Sequence, residues 1–168
     1  RRHHPDVAAG QAKTQVFVAM LAIEFFHSID GLVMGRKTYD FVFNHGSWPY
    51  EDKPAWVCTH SDLQPLEDAN LIVVGAIDDV VSGAAKRGME HLWLVGGGRL
   101  ASSFLAKGLI THVSISEMPI KLECGIPLFS DHTLDDISSE DRQVKTTHGF
   151  RQIEIAISHN RDRTNGRT

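Results

Sequence analysis

Apolar residues in this chain fall into short runs cut by glycine and polar turns, and their spacing switches between two periods. Short apolar runs bounded by glycine read as buried strands, and apolar residues three or four apart read as the inner face of a helix. The clearest run is Leu92–Val95. It leads through Gly96, Gly97 and Gly98 into a helical pattern with Leu100, Phe104 and Leu105 on one face and Gly108 as its stop. The same alternation recurs upstream. Val16–Met20 reads as a first strand, Leu21–Ser28 as a short helix and Leu32–Met34 as a second strand. Arg36–Asn44 follows as a helix, with Tyr39, Val42 and Phe43 inward and Gly46 ending it. A polar and aromatic loop, Ser47–Pro54, leads to strands at Ala55–Thr59 and Leu71–Val74. Asp78 is read as the cap of a helix carrying Val80, Val81, Ala84 and Ala85, stopped by Gly88.

After the glycine turn the pattern becomes one-sided. In the strand His112–Met118, Ser114 and Ser116 alternate with Val113 and Ile115. Arg142–Thr147 and Phe150–Ser158 flank His148-Gly149, with Ile153, Ile155 and Ile157 alternating against Gln152, Glu154 and Ala156. That is a half-buried antiparallel hairpin. Strands alternating with helices predict an α/β fold: a mostly parallel mixed sheet covered on both faces, with an antiparallel C-terminal edge hairpin. The expected organisation is a flexible segment over 1–14, one domain over 15–158 and a flexible tail over 159–168. The junction Met20–Leu21 carries no Gly, Pro, Asn, Asp or Ser, although a strand needs about 2–6 residues to reverse into a packed helix. A loop missing from this point of the chain is the expectation, and an intact mass above 18.6 kDa for the purified protein would reveal it.

Composition narrows the function classes. The 168 residues suffice for one domain with a real core, and 42% apolar with 23% charged residues is ordinary for a soluble globular protein. The net charge of −4 argues against nucleic-acid binding by bulk electrostatics. No apolar run reaches the length of a membrane span, and no secretory leader is expected from the N-terminal residues. Cys58 and Cys124 are the two cysteines, without CxxC spacing, and read as reduced thiols of a cytoplasmic protein. The ten histidines show no HxxxH or HExxH pattern, so no metal site is expected.

Two strand–glycine–helix junctions carry the candidate chemistry. At Gly96-Gly97-Gly98-Arg99 the backbone is free of Cβ atoms just where a helix N-terminus exposes unpaired N–H groups and a positive dipole end, which suits a phosphate. A tight turn that binds nothing needs only one glycine. At Met34–Tyr39, Gly35 precedes Arg36, Lys37 and Thr38 in the first turn of a helix. Positive side chains oppose the dipole there, and a bound polyanion removes the conflict; a merely solvated basic turn is the plain alternative. Facing one sheet edge, the two junctions suit the pyrophosphate and the 2′-phosphate of a dinucleotide, the arginine fork matching a phosphate monoester.

MGRKTY followed roughly 60 residues later by LVGGGRLASSFL resembles the dihydrofolate reductase superfamily. The segments IDGLVMGRKTYD and MPIKLECGIPLFS bring it nearest to the C-terminal reductase domain of the riboflavin-biosynthesis deaminase-reductase and its stand-alone bacterial relatives. The resemblance runs from about Gln15 to Ser158 and implies a three-layer α/β/α fold and an NADPH-dependent oxidoreductase. Its substrate would be a small pyrimidine- or pterin-like heterocycle, such as a 5-amino-6-(5-phosphoribosylamino)uracil. By the same resemblance Gly35, Arg36, Lys37 and Thr38 would hold the 2′-phosphate and pyrophosphate, with Thr59 and His60 beside the adenosine phosphate. Gly97, Gly98, Arg99 and Leu100 would line the pyrophosphate and nicotinamide side. The segment Leu122–Leu128 would border the substrate pocket and help build a homodimer.

The chain departs from these relatives in two places. The Ser-Leu-Asp-Gly-type loop after strand one, whose aspartate faces the substrate, has no counterpart after Met20, so no catalytic acid is named. Glu123-Cys124 stands where relatives often have glycines; Glu123 reads as a loop carboxylate and Cys124 as a packed small residue. Glu24 reads as part of a solvated helix face. The competing readings are an NADPH-binding module without catalysis, a dihydrofolate reductase proper, and a Rossmann dehydrogenase using Gly96, Gly98, Ala101 and Glu117. The last leaves MGRKTY unexplained and sets a carboxylate against a 2′-phosphate.

Overall fold

The computed structural model describes residues 23–117, 125, 127–130, 139–147 and 150–157. The chain divides into two compact units, Arg1–Gly96 and Gly97–Thr168.

In the first unit a helical segment over 23–28 (α1) precedes β1 (Gly31–Gly35), α2 (Arg36–Asn44), β2 (Ala55–Cys58), β3 (Leu71–Val74), α3 (Ile77–Lys86) and β4 (Leu92–Gly96). The strands are all parallel, in the order β3-β2-β1-β4. The register puts Leu32, Ala55 and Leu71 side by side, and next to them Met34 with Val57. These residues share one face, where Leu32, Met34, Ala55 and Val57 form the core with Ile29 and with Tyr39 of α2. Phe26, Phe43, Trp48, Tyr50 and Trp93 close around it. The opposite face carries Val33 and Trp56, both buried. There α3 lies so close that a Cβ on Gly83 would stand 3.1 Å from the Trp56 indole nitrogen. With both faces covered, β1 and β2 need apolar residues at every position, which is why they read as unbroken runs.

The element boundaries follow local chemistry. Gly35, extended at φ −87° and ψ 168°, starts α2, and Gly46 at φ +78° lies just past its end. Glycine takes that left-handed conformation without steric cost. Asp78 does not cap α3: Ala76 holds the cap position, and Asp78 and Asp79 sit in the first turn. Their carboxylates favour the positive dipole end from inside the helix, which suits Asp as well as capping does. β4 differs from expectation in burial. All five of its residues are half-buried, because the strand ends the described ladder, and β1 and β2 hold the buried centre.

The second unit contains α4 (Gly98–Ala106), β5 (His112–Glu117), β6 (Ser139–Thr147) and β7 (Phe150–Ile157). Among the described residues its strands form a separate antiparallel sheet in the order β5-β7-β6, and β5 pairs with β7 rather than extending the parallel ladder. The alternation in β5 fits this, since an antiparallel sheet can keep one face wet. Val113, Ile153 and Ile155 are buried, while Ser114, Ser116 and Glu154 are exposed and Gln152 is half-buried. Ser114 donates to Glu154 at 2.7 Å and Ser116 to Gln152 at 2.7 Å. The fold class is the expected one, α/β with a parallel body and an antiparallel C-terminal hairpin. The strand Val16–Met20, the junction Met20–Leu21 and the segments 1–14 and 159–168 lie outside the described residues. Among the described residues, no helix is long and apolar enough to cross a membrane.

Candidate functional site

In the first unit the carboxyl ends of four parallel strands share one edge. β1 ends at Gly35, β2 at Cys58 before Thr59 and His60, β3 at Val74 before Gly75, and β4 at Gly96. The chain leaves β1 through α2 toward β2 and β3, then crosses back to place β4 on the other side of β1. Strand order reverses between β1 and β4, and open α/β sheets bind ligands outside the carboxyl ends at such a point. The register of the pair shifts between Val33 and Met34, which brings Met34 opposite Gly96. A Cβ on Gly96 would stand 3.6 Å from Thr38 Oγ1, so the end of β4 and the first turn of α2 adjoin.

That turn has no side-chain cap and no acidic residue. Its free N–H groups and dipole are therefore available to an anion. Lys37 is exposed and has no hydrogen-bond partner among the described residues. Arg36 is engaged: its Nε donates to Asp40 Oδ1 at 2.7 Å and its Nη1 to the Asp62 carbonyl at 2.9 Å. The charge conflict at the helix start is thus met in part by Asp40, one turn along, without a bound polyanion. A guanidinium has five N–H donors, so these two bonds leave donors on both terminal nitrogens.

Thr59 continues the ladder by donating to the Val74 carbonyl at 2.9 Å, and its hydroxyl accepts the Ser61 N–H at 3.1 Å. The His60 ring lies against Gly75, where a Cβ would stand 3.0 Å from His60 Cε1 and 3.1 Å from Nδ1. Gly75 thus adjoins a candidate residue without being among the residues that the sequence singles out; its signal is a glycine directly after the apolar run of β3. Burial pushes the Cys58 thiol up from its ordinary value, which makes it a poor nucleophile.

In the second unit, Gly97 precedes α4 at φ 101° and ψ 98°, a conformation open to glycine alone. Gly98, Arg99 and Leu100 begin the helix, Arg99 exposed and Leu100 half-buried. As in α2, the first turn holds no acidic residue and no side-chain cap. Gly98 has a structural reason to be glycine besides the one expected. Its Cβ would stand 2.6 Å from the Pro127 carbonyl oxygen, so the chain itself makes the close approach. Ser130 N–H also donates to the buried Ser102 hydroxyl at 2.9 Å, holding 127–130 on α4. Phe129 is buried, whereas Leu128 is 50% exposed. Glu117 pairs with Arg151 at 2.7 Å across the antiparallel sheet, which accounts for it without a ribose. Glu24 is exposed. Glu123 and Cys124 lie outside the described residues. No group of metal-ligating side chains occurs among the described residues.

Of the ten residues named for the cofactor, Gly35, Arg36, Lys37, Thr38, Thr59 and His60 stand on one edge of the parallel sheet. Gly97, Gly98, Arg99 and Leu100 are consecutive at the start of α4. Residues 36–148 match the RibD C-terminal domain family. The chain belongs to that family. The match begins at Arg36, so it takes in the helix of the first junction, the whole of the second, and the strands between them. YwjB, an uncharacterised protein of Bacillus subtilis (strain 168), is 31% identical over 112 residues, which are 66% of this chain and 64% of that protein. YyaP, also uncharacterised and from the same bacterium, is 26% identical over 119 residues, 64% of this chain and 63% of its own length. The matches therefore span less than two thirds of either relative. A crystal structure of a Shewanella sp. PV-4 protein named for riboflavin biosynthesis superposes with a TM-score of 0.66 at 28% identity, covering 82% of this chain and 78% of that one. Acinetobacter baumannii RibD shares the fold, with a TM-score of 0.60 at 11% identity over 83% of this chain and 50% of that protein.

Proposed function

We propose that this protein is an NADPH-dependent reductase of the riboflavin-biosynthesis type, acting on a pyrimidine- or pterin-like heterocycle. The observation that carries the reading is the switch-point edge of a RibD C-terminal-family chain. There an uncapped helix start bearing Arg36, Lys37 and Thr38 adjoins the side-chain-free end of β4 at Gly96. The cofactor fits these residues. Gly96 leaves the approach to the first turn of α2 open, and Arg36 keeps donors free for a phosphate monoester.

The nicotinamide supplies a hydride; the protein binds, orients and supplies the field. Arg36 reads the 2′-phosphate, with Lys37 adding positive charge from solvent. The N–H groups at the start of α2 take phosphate oxygens, as helix starts do. Thr59 and His60 flank the adenosine side, His60 packed on Gly75.

Titration of wild type and Arg36→Ala with NADPH and NADH tests the reading. Each charge-assisted bond is worth about 1.5–3 kcal/mol, so NADPH should weaken by roughly 10- to 100-fold and NADH far less. The difference should shrink as salt rises. Equal losses for both cofactors, or none for either, would show that Arg36 does not read the phosphate. Tight NADPH binding without turnover on any pyrimidine, pterin or quinone would instead assign a binding module.

A further inference from the structure

The segment from Thr59 to Leu66 runs from the carboxyl end of β2 back along α2, and two side chains of that helix hold it. Arg36 Nη1 donates to the Asp62 carbonyl at 2.9 Å. One turn further on, Tyr39 Oη donates to the Gln64 carbonyl at 2.6 Å and accepts the Leu66 N–H at 3.1 Å. Tyr39 is 1% exposed, so its ring is fixed in the core and its hydroxyl is spent on this loop. Leu63 packs against the same core between these bonds. The loop that begins with Thr59 and His60 is thus tied at 62, 64 and 66 to the helix whose first turn offers Arg36, Lys37 and Thr38.

We infer that Tyr39 is a positioning residue for the adenosine side of the cofactor, acting through loop 59–66 without touching the ligand. The inference rests on the NADPH reading above. It separates two tasks of Arg36, whose guanidinium both meets the phosphate and holds the loop. Tyr39 has only the second task. Preorganised loops bind more tightly because the ordering cost is met before the ligand arrives.

Tyr39→Phe keeps the ring in the core and removes both loop bonds. With two neutral bonds lost, it should weaken NADPH and NADH by the same factor, about 3- to 10-fold, and leave their ratio unchanged. Arg36→Ala should change the ratio. Amide hydrogen exchange should speed up at 61–66 in Tyr39→Phe and not in β1. In wild type, NADPH should slow exchange at the Leu66 amide, a readout that needs no variant. A faster-exchanging loop with wild-type affinity for both cofactors would overturn the inference, as would a Leu66 amide indifferent to bound NADPH. Failure of wild type to bind NADPH would instead remove the functional reading, while exchange at 61–66 would still report whether Tyr39 holds the loop.

Discussion

The three glycines at 96–98 are chemically identical, yet each has its own constraint, and substitution should separate them. Gly96→Ala brings a Cβ to an ordinary 3.6 Å from Thr38 Oγ1, so stability should stay within about 0.5 kcal/mol of wild type. Any loss of NADPH affinity in that variant then reports a phosphate lying against the glycine. Gly97→Val meets a φ of 101°, so it should cost about 1–3 kcal/mol in addition to abolishing cofactor binding. Gly98→Ala meets the Pro127 carbonyl at 2.6 Å and should cost about 1–3 kcal/mol by displacing 127–130. Chemical denaturation of the three variants beside NADPH titration checks all three outcomes. Unchanged NADPH affinity in a folded Gly97→Val would show that this turn is not the phosphate site.

Asp30 is a second residue with a directional prediction. Its carboxylate accepts the Glu90 and His91 N–H groups at 2.8 and 2.9 Å, joining the start of β1 to the start of β4. The His91 and then the Glu90 N–H hold its pKa below the ordinary 3.8. A depressed folded pKa stabilises above the unfolded value and loses that contribution as pH falls through the folded one. Melting temperature should therefore drop from about pH 4 downward, and Asp30→Asn should show a shallower acid limb. Identical limbs would mean the two N–H bonds do not discriminate the charge state.

At the scale of elements, the three long helices of the first and second units start without side-chain caps, but for different reasons. α2 begins at Gly35 and α4 at Gly97, where a glycine offers no side chain to cap with. α3 begins at Ala76, extended at φ −131° and ψ 151°, with Asp79 three residues on. Ala76→Ser places a hydroxyl acceptor at the cap position, where the Asp79 N–H already donates to the Ala76 carbonyl at 3.2 Å, and should stabilise the protein by about 0.5–1 kcal/mol. A calorimetric scan checks it, and no gain would mean the first-turn N–H groups already have partners. The lack of a cap on α2 leaves its dipole to a ligand. The lack on α3, where Asp78 and Asp79 complement the dipole, is simply an unoptimised end.

For the whole molecule, the proposal that remains to be measured is association. The apolar residues at 128 and 129 would serve a homodimer unequally: Phe129 is 4% exposed, while Leu128 is 50% exposed. A dimer should therefore lean on Leu128 and weaken on Leu128→Asp without loss of fold. Light scattering giving a monomer mass at micromolar concentration would exclude it. With a net charge of −4, the chain repels a polyanion at long range, so the proposed NADPH recognition would depend on the local charge of Arg36 and Lys37.

What the sequence determined by itself was local and periodic. Arg36–Asn44 and Leu71–Val74 have the bounds expected of them, because glycine stops and apolar spacing act within a few residues. The two junctions and the family they belong to were legible for the same reason, since each is a contiguous string. Three matters were decided only by tertiary structure. β5 left the parallel ladder for β7, a pairing partner some 40 residues away along the chain. Gly98 proved to be occupied by Pro127, and Gly75 by His60, contacts that no spacing rule encodes. Arg36 found Asp40 and the Asp62 carbonyl, and Tyr39 found Gln64 and Leu66, so the loop at the site's edge is held from the helix. Periodicity reports which face of an element is buried; it carries no information about which distant backbone group arrives to meet it, because that depends on how the whole chain closes on itself.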